Sequence, residues 1–216
     1  MPMKSDREYR DLVRNLEVRT AQDGEENKAE YIVEGYATTF EEPYLLYKWG
    51  NYEVWEKIDR HAFDNCDMSD VIMQYDHEGR VFARLSNKTL ELTPDDHGLF
   101  TVADLGGTEI GRQLFEEIKG GYTNKMSFGF TVGKDERTEE EDYENNKYKI
   151  TRTIKEITKL YDVSAVSLPA NDGTQISSRN FSEGVIAEIE QELQKRQEIN
   201  LRKRKMLLKE QFSERN

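Results

Sequence analysis

Between Glu30 and Phe40 the side chains alternate. Tyr31, Val33, Gly35 and Ala37 fall on one side, Ile32, Glu34 and Tyr36 on the other, which is the two-residue period of a strand. Similar short apolar stretches recur at Tyr52–Ile58, Val71–Tyr75, Val81–Leu85, Leu90–Leu92, Leu99–Leu105, Ile150–Ile157 and Leu160–Leu168. Turn-forming clusters separate them: a short helix or turn over HAFDNCDMSD, then Asp76-His77-Glu78-Gly79, Pro94 to Gly98, and Pro169 to Gly173. From Lys125 to Val132 the alternation is cleanest, with Met126, Phe128, Phe130 and Val132 opposite Ser127, Gly129 and Thr131. One stretch has a helical period instead: Ile110, Leu114 and Ile118 recur every four residues, Thr108 can cap the start, and Gly120-Gly121 stops it.

Two regions fit neither pattern. Residues 1–29 are polar and read as a leader followed by the loop QDGEENK; residues 135–149 carry seven acids against three bases and read as a solvated hairpin tip or mobile loop. After Gly184 there is neither Gly nor Pro, and Val185, Ile186, Ile189, Leu193, Met206, Leu207 and Leu208 lie among Glu, Gln, Lys and Arg. That composition predicts a long helix, with apolar spacing too irregular for a coiled coil. The expected fold class is α+β, mostly β: an antiparallel sheet or barrel with a few short helices and a C-terminal helical arm. The corresponding segments are a leader over 1–29, a folded body over 30–181 and the arm over 182–216.

Charge narrows the function classes. The chain of 216 residues has a formal net charge of −12. Residues 183–216 hold eight Lys/Arg and seven Glu, net +1, so the remainder carries −13. Such a body repels phosphate, which argues against nucleic acid as a partner. The basic cluster Arg202 to Lys205 reads as a solvated face. A single cysteine, Cys66, excludes an internal disulfide, fits a reducing cytosol and reads as a packing residue. No apolar run approaches the roughly 20 residues that span a bilayer, and the N-terminus lacks a signal peptide's apolar stretch, so a soluble, non-exported protein is expected.

Three histidines make the search for chemistry tractable. His97 lies within a Pro/Asp/Gly turn and reads as a surface residue; His61 lies in a turn or helix start; His77 stands where an apolar strand runs into a loop, the place where a rigid scaffold presents reactive groups. They show no metal-ligand spacing. Ser127 shares its strand face with Gly129, which permits another chain to approach closely. Asp162 interrupts an apolar strand, on the face of Ser164, Val166 and Leu168, and must be solvated or paired. These positions permit a Ser–His–acid set and do not select one.

Three segments in order resemble the prohead proteases of tailed phages of the HK97 type. They are Glu56-Lys57-Ile58 with Ala62-Phe63 and Val71 through His77; Gly98-Leu99 through Gly121 with Met126-Ser127-Phe128-Gly129-Phe130; and Leu160-Tyr161-Asp162-Val163-Ser164 through Pro169-Ala170. The resemblance covers about residues 30–180. It implies a fold similar to the herpesvirus assembly proteases and a serine endopeptidase that processes capsid and scaffold segments, and itself, during prohead maturation. It carries His77 over as general base and Ser127 as nucleophile. The third position falls to Asp162, where the family usually has Glu, with His61 in reserve because the related herpesvirus enzymes use a second histidine. The implied partners are the major capsid protein and its scaffold segment, with a homo-oligomer left open, no nucleic acid and no membrane. The implied setting is the assembling prohead in the host cytoplasm, and no cofactor is implied. The rival from another class is a non-enzymatic capsid assembly or scaffolding protein, which the acidic body and the arm would also suit.

Overall fold

The computed structural model describes residues 7–19, 31–142, 147–167 and, beyond them, residues 184, 186–191, 194, 195 and 199. The chain divides into two units, Met1–Ser178 and Arg179–Asn216. Among the described residues of the first there are eleven strands and one helix. In chain order they are β1 (Arg7–Asn15), β2 (Glu17–Val18), β3 (Ile32–Thr39), β4 (Tyr44–Trp49), β5 (Tyr52–Ile58), β6 (Ile72–Tyr75), β7 (Glu78–Arg84), β8 (Leu90–Pro94), β9 (Gly98–Asp104), α1 (Glu109–Lys119), β10 (Lys125–Asp142) and β11 (Lys147–Val166). The fold is mostly β, with a curled sheet, as the alternation predicts. In the second unit, residues 186–191 are helical; most of the expected arm, like the turn Pro169 to Gly173, lies outside the described residues.

Two sheets face each other. The larger has seven strands in the order β1-β10-β11-β5-β4, with β6 pairing β11 and β7 pairing β6; the smaller is β2-β3-β9-β8. The core lies between them: Val33, Ala37, Leu99 and Ala103 from one sheet, Met73, Met126, Phe128, Phe130, Ile157 and Val163 from the other. The rings of Phe128 and Phe130 stack with centroids 4.6 Å apart, and each is fully buried. Burying a side chain of that size contributes about 2–3 kcal/mol. Helix α1 adds Leu114, Phe115 and Ile118. Its start is capped by the Thr108 hydroxyl, which accepts from the Gly111 N–H at 3.0 Å. A Cβ at Gly111 would lie 2.2 Å from the Leu105 carbonyl oxygen, so the helix can enter that close to β9 only with glycine there.

Three elements differ from the pattern-based expectation. The apolar stretches that begin at Ile150 and Leu160 belong to one strand, β11, twenty residues long and ending at Val166. It runs parallel to β5 over Tyr148–Ile154 and parallel to β6 over Asp162–Ala165, while pairing antiparallel with β10 along its length. The polar Thr158-Lys159 that resembles a break sits where one parallel partner gives way to the next, and Lys159 there pairs with Asp67 at 2.9 Å. The acid-rich stretch, second, continues β10 as an exposed strand. Its backbone ladder runs on to Asp142↔Lys147, which supports a hairpin whose tip, residues 143–146, lies outside the described residues.

The third difference is the leader. Within the expected leader, residues 7–15 form a strand, β1, antiparallel to β10 from Arg7↔Thr131 to Leu12↔Met126. No apolar alternation announces this strand, and among its described side chains the one it buries is charged. Arg10 is 2% exposed, and its guanidinium donates to the fully buried Glu56 at 2.5 and 3.0 Å. Glu56 also accepts from the Tyr44 hydroxyl at 2.5 Å and from Arg152 at 3.0 Å. Glu8 and Asp135 complete the cluster on Arg10 and Arg152.

Burial would raise the Glu56 carboxyl, but the Arg10 and Arg152 guanidinium groups outweigh it and hold the group below its ordinary value of 4.5. A carboxylate depressed in the folded state contributes stability that is fully present above its unfolded pKa and is lost as pH falls through the folded one. Thermal denaturation of the wild type is therefore expected to lose stability from this group only below its ordinary 4.5. Glu56→Gln leaves two buried guanidinium groups short of charge, so it should cost about 3 kcal/mol at neutral pH. The deficit against wild type should then shrink on acidification. A deficit that stays constant with pH would show that Glu56 is not ionised in the folded chain.

Candidate active site

Three elements converge on one spot of the larger sheet. In the β10–β11 ladder Ser127 lies opposite Ser164 and Gly129 opposite Asp162, so the hydroxyl and the carboxylate share a face. Strand β6 runs parallel to β11 on its other side, with Tyr75 level with Ala165. There the chain reverses through a two-residue turn into β7, pairing Tyr75 with Glu78. Both turn residues have left-handed backbone, Asp76 at φ 47° and His77 at φ 61°. This is the combination that a tight hairpin with the native twist demands, and Asp and His tolerate it better than branched residues do. Asp76 fastens the turn from below: its N–H donates to the Ala165 carbonyl at 3.0 Å, and its carboxylate accepts from the Ser167 N–H at 2.9 Å. The turn thus carries His77 over the face that holds Asp162 and Ser127.

His77 bridges the other two residues. Its Nδ1 lies 2.5 Å from Asp162 Oδ2 and its Nε2 lies 2.5 Å from Ser127 Oγ. The carboxylate accepts the Nδ1 proton, which leaves the Nε2 lone pair directed at the hydroxyl. Ser127 and Asp162 are fully buried, and the His77 side chain is 13% exposed. Asp162 has further partners. Ser164 Oγ donates to Oδ2 at 2.8 Å, and Arg7 of β1 forms an ion pair with Oδ1. Arg7 also lies over the rings of Tyr9 and Tyr161, 4.9 and 4.6 Å from their centroids; burial pulls its guanidinium below the ordinary arginine value. The Tyr9 ring meets His77 edge-on at 4.4 Å. Ser127 Oγ has a second neighbour, the Arg10 carbonyl oxygen, 3.0 Å away.

Other candidates lie elsewhere. His61 is 72% exposed and pairs with Asp64 at 3.0 Å, while Asp162 occupies the position on His77 for which it stood in reserve. His97 packs on Tyr36 at 4.5 Å in an outer turn. Burial pushes the Cys66 thiol up to about 11, the state of a packing residue rather than a thiolate nucleophile. The Arg152 guanidinium is held by Glu8, Glu56 and Asp135.

A serine, a histidine and an acid in hydrogen-bonded sequence, on a curled sheet with few helices, is the arrangement that the resemblance to prohead proteases requires. The sequence profile described as caudovirus prohead serine protease matches residues 14–188. The chain belongs to the caudovirus prohead serine protease family. No curated protein and no solved structure matches it. Membership places it among the serine proteases of phage prohead maturation. No helix among the described residues is long and apolar enough to cross a membrane.

In this prohead protease the candidate site is also lined by residues that no sequence pattern marks. Arg7, Tyr9 and Arg10 sat in the presumed leader, where their only signal is an aromatic residue between arginines in REYRDLVRN. Ser164 was visible as a neighbour of Asp162 on one face, though not as its donor. Gly129 was expected to admit a neighbouring backbone. What it admits is a pair of side chains: a Cβ there would stand 2.4 Å from Asp162 Oδ1 and 2.9 Å from the Arg7 guanidinium. Gly129→Ala is therefore expected to push the Asp162 carboxylate off His77, costing about 1–3 kcal/mol. Gly107→Ala, where nothing lies within 4 Å of the new carbon, should be close to neutral. Chemical denaturation of the two variants checks this; equal stabilities would mean that the space over Gly129 is not filled as described.

Proposed function

We propose that Ser127, His77 and Asp162 are the nucleophile, the general base and the orienting acid of a serine endopeptidase that cleaves capsid and scaffold segments inside the assembling prohead, and that also cleaves itself. The observation that supports the reading best is the continuous hydrogen-bonded chain from Asp162 Oδ2 through both nitrogens of His77 to Ser127 Oγ.

In this reading Ser127 Oγ attacks a peptide carbonyl carbon while His77 Nε2 takes the hydroxyl proton. Asp162 holds the Nδ1 proton in place and stabilises the imidazolium that forms. His77 then gives its proton to the departing amine, and the acyl group is left as an ester on Ser127. Water, deprotonated by the same histidine, hydrolyses the ester and restores the hydroxyl. The low dielectric around a fully buried carboxylate strengthens its hold on the imidazolium compared with an exposed acid. Ser164 keeps Asp162 from rotating away by donating to the same oxygen that His77 uses.

Co-expression with the matching major capsid protein, followed by mass spectrometry of the products, tests the assignment. Ser127→Ala should end capsid-protein trimming while costing only about 1 kcal/mol of stability, the worth of an ordinary hydrogen bond. His77→Ala should be as inactive, because members of such a set act as a unit. Asp162→Asn presents the wrong hydrogen-bonding group to Nδ1 and should lose about 10⁴-fold. His61→Ala should trim at the wild-type rate. Trimming by Ser127→Ala would remove Ser127 as the nucleophile, and no trimming by the wild type would leave the non-enzymatic assembly protein as the better reading. A dead His61→Ala beside an active Asp162→Asn would move the third role to His61.

A further inference from the structure

Strand β1 touches all three residues of the site. The Arg10 carbonyl accepts from Ser127 Oγ, the Tyr9 ring lies against His77, and Arg7 pairs with Asp162. Among the described strands it lies at the edge of the sheet, with β10 as its neighbour. Without it, the strand that carries Ser127 would present an open row of backbone donors and acceptors, the kind of edge on which an extended peptide docks by adding a strand. Most of β1 precedes residue 14, where the family match begins. We propose that the edge of β10 is the substrate-binding edge, that residues 7–15 occupy it as a resident stand-in for substrate, and that the site takes an extended segment carrying an arginine whose guanidinium enters the buried receptor made by Glu56 and Tyr44. The proposal rests on Ser127 being the nucleophile.

The register identifies the arginine. The backbone carbonyl nearest the nucleophile belongs to Arg10, at 3.0 Å. Arg10 lies opposite Phe128 and sends its side chain to the face opposite Ser127, where the guanidinium stands 5.5 Å from the Phe130 ring and donates twice to Glu56. A buried carboxylate that already holds the Tyr44 hydroxyl and Arg152 suits a second long cationic side chain, and a side chain that brings no donor forfeits the two hydrogen bonds that Arg10 makes. A substrate lying as β1 lies would bring its arginine carbonyl to Ser127. Oγ bonds to the carbonyl carbon as His77 takes the proton, the C–N bond to the following residue breaks, and its nitrogen leaves with that proton. Water then releases the arginine carboxylate and regenerates the hydroxyl. The resident strand holds the site in a different state. Its carbonyl oxygen and His77 Nε2 are both within reach of the Ser127 hydroxyl, which has one proton, so the resident strand competes with His77 for the proton the reaction needs. Residues 7–15 thus keep the site latent and yield to a competing segment.

The test uses the full chain and a set of short extended peptides identical except for one residue: Arg, Lys, Leu, Ala or Glu. The arginine peptide should be cut on the carboxyl side of the arginine, with kcat/KM about 100-fold or more above the Ala peptide. Arg10→Ala loosens the tethered competitor, and should raise kcat/KM on the arginine peptide about tenfold over wild type, because a tethered strand competes at millimolar effective concentration. On wild type, the added peptide REYRDLVRN should inhibit competitively, and its counterpart with Ala in the Arg10 position should not; this arm stands even where Arg10→Ala fails to fold. Cleavage indifferent to the varied residue, a folded Arg10→Ala that is slower than wild type, or no inhibition by REYRDLVRN would each overturn the proposal while leaving Ser127 as nucleophile. Cleavage of no peptide by either chain overturns the nucleophile assignment, and this inference with it.

Discussion

A carboxylate wholly removed from water must be compensated on every side, and Asp162 is one. Its two oxygens divide the work. Oδ2 accepts from His77 and Ser164, and Oδ1 faces Arg7. Each of those partners comes from a different part of the chain, so one buried charge ties together the β6–β7 turn, β11 and β1. The same constraint explains the residue opposite it. Only glycine at position 129 leaves room for the carboxylate and the guanidinium to meet above β10. The turn that carries His77 bears two left-handed non-glycine residues in a row, a local cost of about 1–3 kcal/mol each. The bonds that Asp76 makes to β11 and the bond that His77 makes to Asp162 offset it.

A second buried charge, Glu56, sits at the other contact of β1 with the sheet. It takes Arg10 from β1, Arg152 from β11 and the Tyr44 hydroxyl from β4. Strand β1 is therefore held by two carboxylates, one of them in the candidate active site. Attachments of this kind are directional and demand correct partners, whereas apolar packing tolerates many shapes. A strand fastened in this way is specified in register, and it can exchange with another strand that supplies the same groups. Among the described side chains, the apolar core between the two sheets comes from other strands and from α1, with Phe128, Phe130 and Met126 at its centre.

How much of this was legible in the sequence follows from what each residue buries. Where burial is apolar, the period showed it: the strand through Val33 and Ala37, the strand through Met126 and Phe130, and the helix with Ile110, Leu114 and Ile118 all lie where their spacing places them. Where burial is ionic, it did not. Arg7, Arg10 and Glu56 look like surface residues in any one-dimensional pattern, and the charges that cancel them are distant in the chain. The acidic continuation of β10 was opaque for a related reason: a backbone ladder, not its side chains, makes it a strand. The length of β11 was hidden because its parallel partners change midway, a fact about pairing and not about composition. Of the site, residue type singled out His77 and Asp162 as worth attention, and only the resemblance to prohead proteases joined them to Ser127. Proximity among three strands separated by 50 and 85 residues is not written locally. The same limit hid that His61 pairs with Asp64 in an exposed turn while Asp162 stands on His77.

The claim on which the functional account turns is that His77 and Asp162 make Ser127 an activated nucleophile. Covalent labelling measures this without any knowledge of the substrate. Treated with diisopropyl fluorophosphate, the full chain should gain a single phosphoryl adduct on the fragment that carries Ser127, and the rate should collapse in His77→Ala. An adduct confined to other serines, or equal labelling of Ser127 with and without the histidine, would contradict the account.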